Sequence, residues 1–259
     1  MSKIAIIIPA RYGSTRFPGK PLAMIAGRSM LGRVVDLARL VAQEYEDVTV
    51  YVTTEDQRIA DHAAEIDVPC LMTGECATGS DRVLAAAKQL DHTPDFILNL
   101  QGDAPLTPPQ ALQAMIAAFL NDQQVSVVTP VHRLSWDGLD RLRENKKTTP
   151  FSGTTVVRRP DGSAVWFSKN ILPAIRKEDR TIEVSPVYQH MGLYGYSYAA
   201  LEKFCGWPEG HYEALEGLEQ LRFLENGVAI QTVEIAVDHL HSGIDSPEDL
   251  ARAEAFLSS

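Results

Sequence analysis

Short apolar runs along this chain alternate with segments whose apolar residues recur every three or four positions. Ile4 to Ile8 is an unbroken, β-branched run that suits a strand buried on both faces, and Pro9 ends it. Val48 to Val52, Val68 to Met72, Phe96 to Leu100 and the stretch around Ser126 to Thr129 read as further strands. Between them, Ser29 can cap a helix whose Met30, Val34, Leu37 and Val41 share one face. Gln57 to Glu65 reads as a second helix. A third opens at Thr78-Gly79-Ser80-Asp81-Arg82 and runs to about Leu90, and a fourth spans Pro109 to Asn121. This alternation predicts an α/β fold, a mostly parallel sheet flanked by helices.

The pattern changes near residue 140. Leu139 to Pro160 is polar and basic, and Thr154 to Arg158 and Ala164 to Phe167 then read as a hairpin around Asp161-Gly162, with type I′ turn chemistry. We expect an antiparallel segment at roughly 140–200 inserted into a single domain covering 1–259, and a candidate homodimer contact. Gly192 to Tyr198 reads as a tyrosine-rich strand, Ala214 to Glu225 as one helix with Leu215, Leu218, Leu221 and Leu224 on a side, and Ala229 to Ile235 as a strand. Ser246-Pro247-Glu248-Asp249 is a helix start, with a hydroxyl cap, a proline at the first position and a carboxylate three residues after the cap.

Composition narrows the function classes. The 259 residues carry a net charge of −10, so no diffuse positive field attracts nucleic acid, and any anion must be held by a local cluster. No apolar run approaches the ~20 residues a membrane helix needs, and no signal-peptide order is visible. The expectation is a cytoplasmic protein without membrane insertion. Its three cysteines, Cys70, Cys76 and Cys205, lack metal-ligand spacing and read as free thiols.

The local cluster follows the first strand. Residues 10–20 hold two glycines (Gly13, Gly19), two hydroxyls (Ser14, Thr15) and three cations (Arg11, Arg16, Lys20). Glycines bring backbone N–H groups close to a ligand, and with Arg and Lys they suit a polyphosphate. Open α/β sheets bind ligands at the C-terminal ends of their strands, where this loop lies. Asp103 follows another predicted strand, and Mg²⁺ is usually held by one or two carboxylates plus phosphate oxygens and water. Gln101 can read a base or sugar hydroxyl through its amide. Thr78 to Arg82 can turn N–H groups and Arg82 to a nucleotide, or can simply be a helix cap with a salt bridge. Asp245, just before the last helix, is favoured there electrostatically even without a ligand. Glu213, Glu216 and Glu219 read as a solvated face, and His190 as a structural histidine before a strand. The glycine spacing fits neither a P-loop nor a dinucleotide fingerprint. These residues describe an Mg²⁺-dependent enzyme acting on a nucleoside triphosphate, with base and acceptor open.

The opening Ile8-Pro9-Ala10-Arg11-Tyr12-Gly13-Ser14-Thr15-Arg16-Phe17-Pro18-Gly19-Lys20-Pro21-Leu22 closely resembles the start of the CMP-Kdo synthetases, the 3-deoxy-manno-octulosonate cytidylyltransferases. The likeness continues through Thr78-Gly79-Ser80-Asp81-Arg82, Asn99-Leu100-Gln101-Gly102-Asp103, His190 to Tyr196, Leu218 to Arg222 and Asp245 to Leu250, in the family's order. The resemblance implies a nucleotide-diphospho-sugar-transferase-like fold and a reaction between CTP and a Kdo-type 2-keto sugar acid. Its products would be the CMP-sugar, for lipopolysaccharide or capsule synthesis, and pyrophosphate. It implies that Ala10, Arg11, Tyr12, Gly13, Ser14, Arg16 and Lys20 take the triphosphate, and that Thr78, Gly79, Ser80, Arg82 and Gln101 hold the cytidine. Asp103 and Asp245 would bind Mg²⁺, with Arg11 and Lys20 also catalytic. The sugar pocket would comprise Lys169, His190, Tyr194, Glu216, Glu219 and Gln220.

Three departures from the family pattern fall on the sugar side. Ala104 follows Gln-Gly-Asp where an acidic or amide residue is usual. Phe167-Ser168-Lys169 replaces aromatic-Ser-Arg, and a lysine offers a point charge where arginine offers a planar fork. The family's Pro-Asn-x-Val-Lys stretch is not recognisable between Lys146 and Val157. They suggest a modified acceptor, such as an 8-amino or sialic-type acid, or a catalytically silent nucleotide-binding relative.

Overall fold

The computed structural model describes residues 2–13, 17–237, 243–244 and 246–257. In chain order the elements are β1 (Ile4–Pro9), a 3₁₀ turn at Lys20–Leu22, β2 (Met24–Ile25), β3 (Arg28–Ser29), α1 (Met30–Ala42), β4 (Val48–Thr54), α2 (Gln57–Glu65), β5 (Cys70–Met72), α3 (Gly79–Ala87), β6 (Phe96–Asn99) and α4 (Pro109–Asn121). Then come β7 (Val127–Ser135), α5 (Trp136–Thr148), β8 (Thr155–Arg158), β9 (Ala164–Ser168), β10 (Val184–His190), β11 (Tyr194–Ser197), α6 (Tyr198–Gly206), α7 (His211–Glu216), α8 (Leu221–Glu225), β12 (Gln231–Glu234) and α9 (Pro247–Leu257). The chain divides into two compact units. One is Met1–Gln113 with Gly195–Cys205 and His241–Ser259, and the other is Ala114–Tyr194 with Gly206–Leu240.

The first unit carries the parallel sheet that the β-branched runs predict. β1 pairs in parallel with β4 and with β6, and β4 with β5. The strand order is β5-β4-β1-β6-β11. Ile4 to Ile8 are all buried, as a strand covered on both faces requires. Ser29 caps α1 by accepting from the Gly32 amide at 3.0 Å, and Met30, Leu31, Val34, Val35 and Val41 are buried. Because β1 and β6 run the same way, the loops after Pro9 and Asn99 leave from one rim. α9 closes over the small hairpin through Ile25, Met30, Ile244 and Ala253, with Phe17, Leu106 and Leu250 beside them.

The second unit holds the antiparallel region. β10 pairs antiparallel with β7 and β8, and β8 with β9, while β12 runs parallel to β7. The fold class read from the sequence therefore stands. The β8–β9 hairpin is present, but its turn is not type I′. The Gly162 amide bonds to the Arg159 carbonyl, and within the loop only Gly162 has positive φ (85°). This is the three-residue loop that Pro160 and Gly162 favour.

Besides the two-residue strands β2 and β3, three longer elements escaped the pattern. α5 buries only Trp136, Leu139 and Leu142, too sparse a stripe within a charged stretch to stand out. β10 contains Pro186, which argues against a strand, and a register shift between Val184 and Tyr188 accommodates it. α6 follows β11 without a break. The helix expected over Ala214 to Glu225 is two short ones, because Gly217 is left-handed at φ 60°.

Candidate active site

The first loop closes on itself through its backbone. The Gly19 amide donates to the Tyr12 carbonyl at 3.0 Å, and a Cβ on Gly19, at φ 71°, would lie 3.2 Å from the Tyr12 ring. Glycine there permits both the left-handed turn and the close ring contact. The Arg58 guanidinium lies 3.3 Å over the Tyr12 ring and is held by Asp56. Ala10 is anchored by its amide to the Thr53 carbonyl at 2.9 Å. Arg11 is exposed, without an ion-pair partner among the described residues, and nothing crowds Gly13. Ser14, Arg16 and Asp245 lie outside the described residues.

The loop after β6 lies against this one. A Cβ at Gly102 would come 2.8 Å from the Pro9 carbonyl oxygen, so only glycine lets the two backbones approach this closely. The approach brings Asp103 to Lys20. Lys20 Nζ donates to Asp103 Oδ2 at 2.7 Å, with side-chain exposures of 11% and 33%. A cationic loop and an acidic loop, 83 residues apart in sequence, thus share one rim of the parallel sheet. The Ile244 amide donates to the Asp103 carbonyl at 2.8 Å, which fixes the chain just before Asp245 against the same loop. Among the described residues no cluster of three or more metal-ligating side chains exists. Asp103 is a partly exposed carboxylate, the kind of group that Mg²⁺ takes as a protein ligand while phosphate and water supply most of the rest.

α3 begins at the same place. Thr78 and Asp81 form a reciprocal capping box, and the Gly79 Cβ position is 3.9 Å from Gln101 Oε1 and 4.0 Å from Pro9 Cγ. The first turn of a helix has amides without helical acceptors, which favours an anion. Gln101 donates from Nε2 to Asn99 Oδ1 at 3.0 Å, and this sets the amide's orientation. Arg82 behaves differently from a surface ligand. It is buried, donates to Thr73 Oγ1 at 2.8 Å and pairs with Glu55 at 2.5 Å, so its charge anchors α3 to the adjoining strand ends.

The expected sugar-side residues lie in the second unit. Glu216 uses both carboxylate oxygens, accepting from Ser168 Oγ at 2.7 Å and from the Lys169 amide at 2.8 Å. Gln220 is 3% exposed, and its Nε2 has no hydrogen-bond partner among the described residues. A buried amide left unpaired is costly and marks a place for a polar ligand. Glu219 is exposed. Glu213 is not part of a solvated acidic face but is buried in an ion pair with Arg222.

His190 packs its ring 5.0 Å from Phe167 and 5.4 Å from Tyr194 between centroids. Its Nε2 lies 2.8 Å from Thr129 Oγ1, whose own proton goes to the Leu193 carbonyl at 2.7 Å. Nε2 is therefore the donor, and Nδ1 keeps its lone pair. Thr129 carried no signal in sequence; it is one hydroxyl in an apolar strand. Burial drives the His190 imidazole down to about 3. Between that value and ~6.5 the unfolded chain binds a proton that the folded one refuses. The neutral ring's contribution to stability is complete above ~6.5 and declines as pH falls, by up to ~1.4 kcal/mol per unit. Unfolding free energies from urea titration at pH 7 and 5.5 should therefore differ more for the parent than for His190→Gln, by about 1 kcal/mol. Equal differences would contradict the buried neutral ring.

Comparison with known proteins places this geometry. The cytidylyltransferase family model matches residues 5–232. A 3-deoxy-manno-octulosonate cytidylyltransferase of Maricaulis maris (strain MCS10) is 42% identical over 263 residues, covering 100% of this chain and 98% of that protein. The chain belongs to the 3-deoxy-manno-octulosonate cytidylyltransferase family. A second member, from Anaeromyxobacter sp. (strain Fw109-5), is 39% identical over 260 residues, covering 100% of this chain and 98% of its own. A solved CMP:2-keto-3-deoxy-manno-octonic acid synthetase complexed with CTP superposes with a TM-score of 0.86 at 31% identity, covering 99% of both chains. No helix among the described residues is long and apolar enough to cross a membrane.

Proposed function

We propose that this protein transfers the cytidylyl group of CTP to a Kdo-type 2-keto sugar acid, giving the CMP-sugar and pyrophosphate. The observation that carries the reading is the 2.7 Å contact between Lys20 and Asp103, at the rim where α3 begins and Gln101 is oriented. Arg11 and Lys20, with Arg16, neutralise the triphosphate, and the Gly79 and Ser80 amides and Gln101 hold the cytidine. Asp103 and Asp245 would hold Mg²⁺, which when bound would offset charge on the triphosphate and acidify the attacking hydroxyl. Lys169 meets the sugar carboxylate, and Gln220 and the neutral His190 meet its hydroxyls, with Tyr194 and Glu219 beside them. With its pKa near 3, His190 is too weak a base to carry a proton at neutral pH, so it orients the sugar. The anomeric hydroxyl gives up its proton to solvent, and its oxygen bonds to the α-phosphorus as the bond from that phosphorus to the β-phosphate oxygen breaks. Alignment of attacking and leaving oxygens and positive charge at the developing anion supply the rate. Residues 1–259 are proposed to act as a single nucleotidyltransferase domain.

The observation that favours a modified acid is Lys169, which can offer only a point charge. The intact Lys20–Asp103 pair argues against a silent relative. Pyrophosphate release with CTP, Mg²⁺ and a panel of Kdo, 8-amino-Kdo and sialic-type acids tests these readings, with products identified by mass. Turnover on Kdo is expected. Preference for another acid moves the assignment to that acid, and no turnover on any acid overturns the enzyme reading.

A further inference from the structure

Lys146 lies in the stretch where the family's Pro-Asn-x-Val-Lys is not recognisable, and the structure gives it an unusual environment. Its ammonium donates to four backbone carbonyls: Pro150 at 3.3 Å, Ser152, Gly153 at 2.9 Å and Lys169 at 2.6 Å. Three N–H donors are fully occupied by such a cage. No carboxylate pairs with it among the described residues. The cage needs a tight loop, and Gly153 supplies it at φ 67°, where a Cβ would press on Leu142 Cδ1 at 2.9 Å.

The carbonyl of Lys169 is thus held from one side while its amide is held from the other by Glu216 at 2.8 Å. The next residues are also pinned. Thr155 Oγ1 donates to the Asn170 carbonyl at 2.7 Å and accepts from the Leu172 amide at 3.0 Å. The Lys169 ammonium itself has no ion pair or hydrogen bond among the described residues. Its Nζ lies 3.8 Å from where a Cβ on Gly217 would be. The two ammonium groups are close enough for Lys169 to push the Lys146 pKa down, adding to the larger effect of burial, while Glu216 opposes both. Two cations and one carboxylate, the latter satisfied by Ser168 and a backbone amide, leave one unspent positive charge.

We propose that Lys146 and Glu216 clamp the Lys169 backbone from its two ends, so that the Lys169 ammonium is presented to the carboxylate of the sugar acid; Lys146 is a positioning residue. The clamp rests on the reading of Lys169 given under Proposed function. It explains how a lysine, a point charge less directional than an arginine fork, can be aimed. The charge of Lys146 is spent on carbonyls, so it does not compete for the substrate.

Steady-state pyrophosphate release with Kdo varied at saturating CTP tests the proposal on Lys146→Met, Lys146→Arg, Lys169→Met and the Lys146→Met/Lys169→Met double variant. Lys146→Met should raise the Kdo KM about tenfold and leave the CTP KM within about twofold. Lys146→Arg, which keeps charge and donors, should recover most of that loss. In the Lys169→Met background, Lys146→Met should add less than about twofold, because both act through one ammonium. Full additivity, or an equal rise in both KM values, would overturn the proposal. Amide hydrogen exchange gives a readout that does not depend on turnover. Lys146→Met should lose protection at 152–153 and 169–172 while the β1 amides stay protected. Unchanged protection at 169–172 would refute the clamp. A parent protein inactive on every acid would refute the proposed function instead, with exchange still deciding the clamp. Loss of β1 protection would mean that Lys146→Met has failed to fold, and Lys146→Gln then carries the same comparison.

Discussion

Replacing Asp103 with alanine is expected to lower kcat by about 10³-fold or more while leaving the protein folded. A metal-binding carboxylate supplies several kcal/mol of charge stabilisation at a transferring phosphoryl group, and each 1.36 kcal/mol is a factor of ten. The fold should tolerate the change. Asp103 lies on a loop, its side chain is 33% exposed, and its pair with Lys20 is of the partly exposed kind that contributes ~1 kcal/mol or less. Asp103→Asn keeps the shape and loses the charge, and should be nearly as inactive. Lys20→Met should cost roughly 10²–10³-fold, as removal of one preorganised donor to a developing anion does. The measurement is pyrophosphate release across Mg²⁺ concentrations, beside a thermal unfolding scan. Turnover of Asp103→Ala within tenfold of the parent would end the metal assignment.

Glu213→Ala should be among the most destabilising single substitutions in the chain. Glu213 and Arg222 side chains are 5% and 12% exposed. Arg222 donates Nε and Nη2 to the two carboxylate oxygens at 2.6 and 2.5 Å, a bidentate fork, and the Gly210 amide adds a third donor at 2.8 Å. Truncating the carboxylate leaves a buried guanidinium without its counter-charge, which costs about 3–5 kcal/mol. Replacing both members with apolar residues of similar volume should recover a good part of that loss, because the desolvation penalty of the pair disappears as well. Urea unfolding followed by tryptophan fluorescence reads both. A Glu213→Ala loss below ~1 kcal/mol would show the pair to be hydrated and weak. Gln220 begins the short helix that carries Arg222, so the unstable variant should also bind the sugar acid poorly.

This pair shows where local pattern stops. In sequence Glu213, Glu216 and Glu219 are three carboxylates at helical spacing, and such a run is ordinarily a solvated face. In the structure they separate into a buried ion pair, a carboxylate that orders the Lys169 backbone, and an exposed residue. The break at Gly217 decides it, since a left-handed residue turns the two halves of the predicted helix in different directions. Arg82 is a similar case. Its motif was legible as a helix start, but its burial and its pairing with Thr73 and Glu55 depend on how the neighbouring strand ends pack.

What the amino-acid order determined by itself is the set of elements around β1 and the kind of chemistry they carry. β-branched runs, caps and glycine-rich loops express their preferences over a few residues, so the Ile4–Ile8 strand, the Ser29 and Thr78 helix starts and the cationic first loop were all visible. The motifs were distinctive enough to name a family. Tertiary structure alone decided which groups meet: Lys20 with Asp103 across 83 residues, His190 with Thr129 across 61, and Lys146 with Lys169 across 23. Strand order and one close backbone approach at Gly102 set the first of these meetings, and antiparallel pairing of β7 with β10 sets the second. A contact between distant residues depends on how every intervening element packs, and no short window of sequence holds that information.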